Sequence, residues 1–233
     1  MGDAMPQISV IIPVFNEETT ACTIVEQIKQ AINAIDYEIV LVDDGSTDGT
    51  SEQIRLLVVN SVVVITHSVN RGKGAALRTG FRESRGDIIV IQDGDLEYDP
   101  NDIPRLIRPI LDGKADVVFG SRFHGEVQRV HLFYHRIGNL VLTLFSNFMT
   151  NLNLSDMECG YKAFRREVIE SFTIREDRFG VEPEITAKVA KRGWRVYEVP
   201  VSYSGRDYSE GKKIGWKDAM RAFWCIIKYR FAD

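Results

Sequence analysis

Over the first 120 residues, short and almost wholly apolar runs rich in Val and Ile alternate with stretches of helical periodicity, and this alternation constrains the chain more than any other feature. Ile8 to Val14, Glu38 to Val42, Ser61 to Thr66, Asp87 to Gln92 and Asp116 to Gly120 read as strands. Thr19 to Ile35, Asp48 to Val58, Gly74 to Ser84 and Asn101 to Leu111 read as the helices between them. Strands apolar along their whole length are covered on both faces, and strands separated by helices pair in parallel. The reading is an α/β fold, a mostly parallel sheet with helices on both faces. In such sheets ligands bind beyond the carboxyl ends of the strands. Three of those ends are acidic: Asn16-Glu17-Glu18, Asp43-Asp44-Gly45-Ser46 and Asp93-Gly94-Asp95.

Beyond residue 120 the pattern turns helix-rich and irregular, without a Pro/Gly/Ser linker, a repeat or a low-complexity tract. Residues 1–233 therefore read as one domain with a C-terminal elaboration, long enough to bury a sizeable core. A sequence pI near 5.7 argues against a nucleic-acid binder. No apolar run of about 18 residues exists to span a membrane, and Met1 to Gln7 lacks the basic and apolar regions of a secretory signal. Cys22, Cys159 and Cys225, odd in number and far apart, fit reduced thiols in a cytoplasmic protein.

The net charge of -4 hides a division. Residues 1–160 carry 13 Lys+Arg against 22 Asp+Glu, or -9, and residues 161–233 carry 16 against 11, or +5. The first part repels anions unless a cation intervenes; the second attracts phosphate or an acidic membrane surface.

Asp93 and Asp95 flank Gly94 where a buried strand runs out into solvent, with Glu97 two residues on. Such hard oxygen donors suit Mg²⁺ or Mn²⁺, which binds a few carboxylates and completes its shell with water and substrate phosphates. A bare DxD is also compatible with a solvated acidic turn. Asp43 and Asp44 at a neighbouring strand end, with Glu17 nearby, concentrate negative charge that a metal chelated to a diphosphate would offset. Asn70-Arg71-Gly72-Lys73-Gly74 opens a helix and can approach an anion closely, with Lys73 or Arg71 adding charge; a plain glycine turn reads equally well. Neither a Walker A loop nor GxGxxG is present.

The succession Ile11-Ile12-Pro13-Val14-Phe15-Asn16-Glu17-Glu18, Val42-Asp43-Asp44-Gly45-Ser46-Thr47-Asp48, Asn70-Arg71-Gly72-Lys73-Gly74 and Asp93-Gly94-Asp95 resembles the family 2 glycosyltransferases of the GT-A fold in order, spacing and position. Gly120-Ser121-Arg122, the segment Asp156 to Phe164, Val199-Pro200, Ser204-Gly205-Arg206 and Lys212-Lys213 resemble the polyprenyl-phosphate branch, the dolichyl-phosphate mannose and glucose synthases. The resemblance runs from about Ile8 to Tyr229. It implies a nucleotide-sugar-binding half over about 1–120 and an acceptor and membrane-facing half over about 121–233. It implies that Pro13, Phe15, Glu17 and Asp44 hold the nucleoside, with Asp43 beside them, and that Asp93, Asp95 and Glu97 coordinate the metal on the diphosphate. Gly94 departs from the Ala of many relatives.

In the second half, Ile137, Leu140, Val141, Leu144, Phe145 and Phe148 make an apolar helical stripe opposite Asn139, Thr143, Ser146, Asn147 and Thr150, and Ile137 to Leu152 holds no charge. Such a helix is either buried on most sides or lies at a membrane surface. The last helix sets Trp216, Ala219, Met220, Phe223, Trp224 and Ile227 beside a row of Lys217, Arg221 and Lys228. This describes an interfacial helix, or one docked on the sheet or on a twin subunit. Membrane contact would be peripheral, at the inner face, with a homodimer or a membrane protein as further partners.

Arginine forks match phosphate oxygens. By the resemblance, Arg122 and Arg136 grip the acceptor phosphate, while Arg206 or Lys213, in a loop over Ser204 to Gly215 able to close, meets the donor diphosphate. Asp156 matches the family's acidic residue and orients acceptor or sugar. The implied reaction is metal-dependent, inverting transfer of a hexose from a nucleotide sugar, GDP-mannose or UDP-glucose, to a polyprenyl phosphate. The acceptor phosphate is mostly dianionic at neutral pH and needs no strong base. Transfer to a glycan, lipid or protein hydroxyl, and a non-catalytic sugar-nucleotide-binding scaffold, are the alternatives. His131 and His135, at i and i+4 with no third ligand, read as headgroup or core contacts.

Overall fold

The computed structural model describes residues 7–59, 61–123, 133–205 and 216–232, with side chains from 219 onward in the last stretch. Along the chain run β1 (Ile8–Val14), α1 (Ala21–Ala31), β2 (Tyr37–Asp43), α2 (Thr50–Arg55), β3 (Val62–Thr66), α3 (Lys73–Glu83) and β4 (Ile88–Ile91). A 3₁₀ turn (Pro100–Asp102) then leads into α4 (Ile103–Leu111) and β5 (Val117–Ser121). There follow α5 (Phe133–Thr150), β6 (Lys162–Arg165), α6 (Arg166–Glu170), α7 (Val181–Lys191), β7 (Val196–Pro200) and α8 (Trp216–Phe231).

One seven-stranded sheet joins them in the order β3-β2-β1-β4-β6-β5-β7. Every described pairing is parallel except those of β6, which runs antiparallel to both β4 and β5. The mostly parallel α/β fold and the five strands and four helices expected before residue 121 are present within a few residues of their expected bounds. The strands β6 and β7 were not anticipated. Lys162–Arg165 is only four residues long, and its buried Lys162 interrupts the apolar run that marks the other inner strands.

Successive residues of a strand face opposite sides of the sheet, and the core divides accordingly. Ile8, Val10, Ile12, Ile39 and Leu41 pack with α1 and α4 on one face; Ile11, Val40, Val42, Phe119 and Phe164 pack with α3, α7 and α8 on the other. From β1 the chain moves out through β2 to β3, then returns to place β4 on the far side of β1. The crevice opens between β1 and β4, where the direction of winding reverses, so the loops after β2, β1 and β4 become neighbours.

The two amphipathic helices resolve a choice that their sequences leave open. In α5 the buried side chains are Leu142, Thr143 and Ser146, while Ile137, Leu140, Val141, Leu144 and Phe148 are exposed. The uncharged polar stripe thus faces the protein, and most of the apolar stripe faces outward. Thr143 and Asn147 are used there: Thr143 Oγ1 accepts from Met157 N–H at 3.2 Å, and the Asn147 amide donates to the Leu154 carbonyl at 2.7 Å. In α8, Ala222, Cys225, Ile226 and Tyr229 are buried, while Met220, Trp224, Ile227 and Phe231 stay exposed. The two helices pack together through Phe145 and Phe223, ring centres 5.3 Å apart. Of the row Lys217, Arg221 and Lys228, two residues meet one carboxylate of the domain itself. From the solvent-accessible side, Arg221 and Lys228 pair with Glu176 at 2.6 and 2.9 Å, and that buried carboxylate needs such partners; the Trp216 and Lys217 side chains lie outside those described. Among the described residues no helix is long and apolar enough to cross a membrane.

Candidate active site

The loop after β1 and the loop after β2 are laced together. Asn16, at φ +56, accepts from Thr47 N–H at 2.8 Å, its own N–H reaches Ser46 at 3.0 Å, and Glu17 N–H reaches Thr50 Oγ1 at 2.9 Å. Pro13 and Phe15 are half-buried beside them, and Glu17 is buried with Thr20 Oγ1 donating to its carboxylate at 2.9 Å. Asp43, at the last position of β2, accepts from Ser46 N–H at 3.0 Å and from Ser51 Oγ.

Asp44 is committed differently from the sequence reading. Its carboxylate accepts from Arg71 N–H at 3.0 Å and Gly72 N–H at 2.6 Å, and lies 2.7 Å from His67 Nδ1; His67 Nε2 lies 2.9 Å from Thr79 Oγ1. The anion seated at the Asn70–Gly74 turn is the protein's own Asp44, so this turn is not an open phosphate cradle. Gly72, at φ +105, and Gly74 lie so close to the carbonyls of Asp177 and Glu176 that no Cβ fits at either. His67 was missed because a single histidine at a strand end carries no spacing signal.

Lys73 opens α3. Its ammonium pairs with Asp93 at 2.8 Å and with Glu182, in the first turn of α7, at 3.0 Å. Burial alone would lower its pKa, but the two carboxylates more than offset this and hold it raised and charged. The ammonium thereby offsets the charge of Asp93 and Glu182 together. The paired charges of α7, Glu182 with Lys73 and Glu184 with Lys188 at 2.6 Å, are buried. Helix periodicity therefore gave no hint of a helix covered on nearly every side.

Asp93, Asp95 and Glu97 lie on the loop after β4. A Cβ at Gly94 would meet Val14 Cγ1 at 2.7 Å, so glycine lets this loop lie directly on β1. Asp95 accepts from Glu97 N–H at 3.1 Å, and Glu97 accepts from the Tyr203 hydroxyl at 2.7 Å. Among the described residues no three His, Cys, Asp or Glu side chains converge as a ready ion cage. Glu97 is turned toward Tyr203. Asp93 and Asp95 remain a fitting pair, since Mg²⁺ or Mn²⁺ needs only one or two carboxylates when substrate phosphates complete the shell.

Across the sheet, β5 ends at Ser121 and delivers Arg122 to Asp156. The Arg122 fork closes on this carboxylate with Nε and Nη2 each at 2.7 Å, and its backbone N–H adds a third bond at 3.0 Å. Burial works to raise the Asp156 carboxyl, yet the Arg122 fork prevails and holds it below the ordinary carboxylate range. Arg122 and Arg136 both approach the Phe123 ring, at 5.9 and 5.5 Å, which brings the two arginines together. Glu198 fixes the turn from behind, accepting from Ser155 and Asp156 N–H at 2.9 and 3.2 Å. Arg206, Lys212, Lys213 and His131 lie outside the described residues.

The segment 156–160 ties the two sides together. A Cβ at Gly160 would stand 2.5 Å from Asp93 Oδ2 and 2.9 Å from Lys73 Nζ. Gly160 N–H donates to the Tyr98 hydroxyl at 3.1 Å, and buried Lys162 donates to the Cys159 carbonyl. One end of this short turn therefore sits on the acidic loops and the other on Arg122.

The architecture matches known proteins. The family model described as Glycosyl transferase family 2 covers residues 9–173. Dolichol-phosphate mannosyltransferase of Pyrococcus furiosus is 32% identical over 213 residues, 90% of this chain and 60% of that protein. Undecaprenyl-phosphate 4-deoxy-4-formamido-L-arabinose transferase of Aeromonas hydrophila is 29% identical over 210 residues, 88% of this chain and 62% of that protein. The chain thus spans about three fifths of the length of these curated relatives. Glucosyl-3-phosphoglycerate synthase of Mycobacterium tuberculosis, crystallised with Mn²⁺, uridine diphosphate and phosphoglyceric acid, superposes with a TM-score of 0.76 at 21% identity, covering 98% of this chain and 80% of that one. That likeness establishes the shared fold, and with the family model it leads to one conclusion: the chain belongs to glycosyl transferase family 2.

Proposed function

We propose that this chain transfers a hexose from a nucleotide sugar to a polyprenyl phosphate, inverting the anomeric centre in a single displacement. The observation that carries the reading is the turn 156–160, which sets the acidic loops of one crevice beside the Arg122 fork. Two phosphate-bearing substrates need such a pairing, one bound through carboxylates and a divalent ion, the other through guanidinium.

In this reading Pro13, Phe15 and Glu17, with Asp43 beside them, flank the nucleoside. Asp44 acts at one remove, holding the Asn70–Gly74 turn in place. Asp93 and Asp95 would hold Mg²⁺ or Mn²⁺, which when bound supplies Lewis-acid stabilisation to the departing diphosphate. Lys73 keeps the Asp93 carboxylate fixed, while Arg206 and Lys213 are assigned to the donor diphosphate from the second half. Arg122 and Arg136 receive the acceptor phosphate, and the lowered pKa of Asp156 makes it a weak base. That supports a phosphate acceptor, already mostly dianionic at neutral pH, over a hydroxyl that would need deprotonation. Asp156 then works by orienting Arg122.

The outward apolar side chains of α5 and α8 support peripheral attachment at a cytoplasmic membrane face, where the lipid phosphate would be met. The Pyrococcus and Aeromonas relatives, whose names specify dolichol-phosphate and undecaprenyl-phosphate, support the same acceptor class. The test is a panel of nucleotide sugars, including GDP-mannose and UDP-glucose, with Mn²⁺ and a short polyprenyl phosphate, following nucleoside diphosphate release. Release that depends on the lipid phosphate is expected; no turnover of any donor would overturn the reading.

A further inference from the structure

The side chain of Glu158 is absorbed by no role so far. It is half-buried, yet its Oε1 is shut off from solvent and has no hydrogen-bond partner among the described residues. A buried acceptor left unsatisfied is rare and costly, and where one persists in a working site it asks for a ligand. Its place in the chain is specific. Two residues before it, Asp156 holds Arg122; two residues after it, Gly160 abuts Asp93 and Lys73. With about 3.8 Å between successive Cα atoms, Glu158 stands a few ångströms from each end.

Its electrostatic surroundings repeat this position. Burial first, then the Glu182 carboxylate, push the Glu158 carboxyl up to about 8, against the opposing pull of Lys162 and Arg122. Glu182 belongs to the Lys73–Asp93 group and Arg122 to the other side, so Glu158 feels both. A carboxyl at about 8 is mostly protonated at neutral pH. In that form it offers one O–H donor and one carbonyl acceptor, the complement of a sugar hydroxyl, itself both donor and acceptor.

Between a donor diphosphate held at Asp93 and an acceptor phosphate held at Arg122 there is one chemical group to place, the hexose in transfer. We infer that Glu158 is a sugar-recognition residue, its carboxyl hydrogen-bonding a hydroxyl of the transferred hexose between the Asp93–Lys73 pair and the Arg122–Asp156 fork. The inference rests on the assignment of the crevice to a nucleotide sugar. It adds to that assignment the residue that reads the sugar rather than the nucleotide.

The experiment measures affinities, so it does not depend on the acceptor. With Mn²⁺ present, the full chain and its E158Q and E158A variants are titrated calorimetrically with UDP, UDP-glucose, GDP and GDP-mannose. For the nucleotide sugar that binds more tightly than its own nucleoside diphosphate, the advantage conferred by the sugar should fall about 10-fold in E158A and less in E158Q, which keeps a carbonyl acceptor. Affinity for the bare nucleoside diphosphate should stay within about 2-fold, which also certifies the folded state of the variants. Monodeoxy forms of the same donor should then identify the hydroxyl: one of them loses the same factor in the wild type and nothing further in E158A. An unchanged sugar advantage in both variants overturns the inference, as does a wild type for which the hexose adds no affinity. Failure of the lipid-phosphate reading would look different, as tight nucleotide-sugar binding without transfer to polyprenyl phosphate.

Discussion

Replacing Gly160 by alanine should disable the site while sparing the fold. The new Cβ would lie 2.5 Å from Asp93 Oδ2 and 2.9 Å from Lys73 Nζ, whereas heavy atoms settle at about 3.5 Å or more. The backbone has little room to retreat, because Gly160 N–H is held by the Tyr98 hydroxyl and the neighbouring Cys159 carbonyl by buried Lys162. What yields is the pair of side-chain tips, which must move by about 1 Å. Both tips belong to side chains able to change rotamer, so the melting temperature should fall by no more than about 3 °C. A displacement of about 1 Å in a positioning group is worth about 10²-fold in rate, equivalent to about 2.7 kcal/mol of transition-state stabilisation. The assay pairs a thermal melt with kcat/KM from nucleoside diphosphate release at saturating Mn²⁺. Full activity in a normally folded variant would refute the placement of the donor phosphates at Asp93. A collapsed melt would refute the argument that only side-chain tips give way.

Chelation should abolish turnover, with Mn²⁺ restoring it, and Asp95→Ala should not be rescued by added metal; activity that persists in EDTA removes the ion from the account. Asp156→Ala strands the Arg122 guanidinium in a buried position and should cost about 3–5 kcal/mol in denaturant unfolding, whereas a loss under 1 kcal/mol would show that the fork is unimportant to the fold. Glu176 offers a pH test. Burial would raise its carboxyl, but the bonds from Arg221, Lys228 and Tyr229 outweigh this and bring it down to about 2. Its contribution to stability is thus complete above about 4.5 and lost as pH falls through about 2, so Glu176→Gln should flatten the acid limb of a stability–pH curve, and an unaltered limb contradicts the pairing. Leu144→Glu with Trp224→Glu, both at exposed positions, should leave the melt unchanged while lowering partition onto anionic vesicles at least about 10-fold; equal partition would exclude α5 and α8 as the attachment face.

Three strand ends were legible because the apolar runs of β1, β2 and β4 stop abruptly at acidic turns, and parallel pairing leaves those ends on one edge. What those residues hold in place was less legible. Asp44 looks from sequence like a ligand to something outside the chain, and only the fold brings Arg71, Gly72 and His67 around it. Lys73 and Glu182 are more than 100 residues apart in the chain, so no local spacing could have foretold their pairing. For α5 the periodicity was correct, but a stripe does not say which side the protein covers. There Asn147 and Thr143 were needed to hold the turn before β6, and this turned the apolar face outward. Strand β6 escaped because Lys162, buried against Phe119 with its ammonium 4.9 Å from the ring centre, breaks the apolar pattern that identified its neighbours.

In the proposed reaction two phosphate-bearing substrates meet at the 156–160 turn. The most direct test offers labelled nucleotide sugar with Mn²⁺ to the full chain in two reactions, one containing polyprenyl phosphate and the other the corresponding polyprenol, and follows the label into the organic phase. Labelled lipid is expected from the phosphate and none from the alcohol. Label carried by the polyprenol, with none on the phosphate, would contradict it.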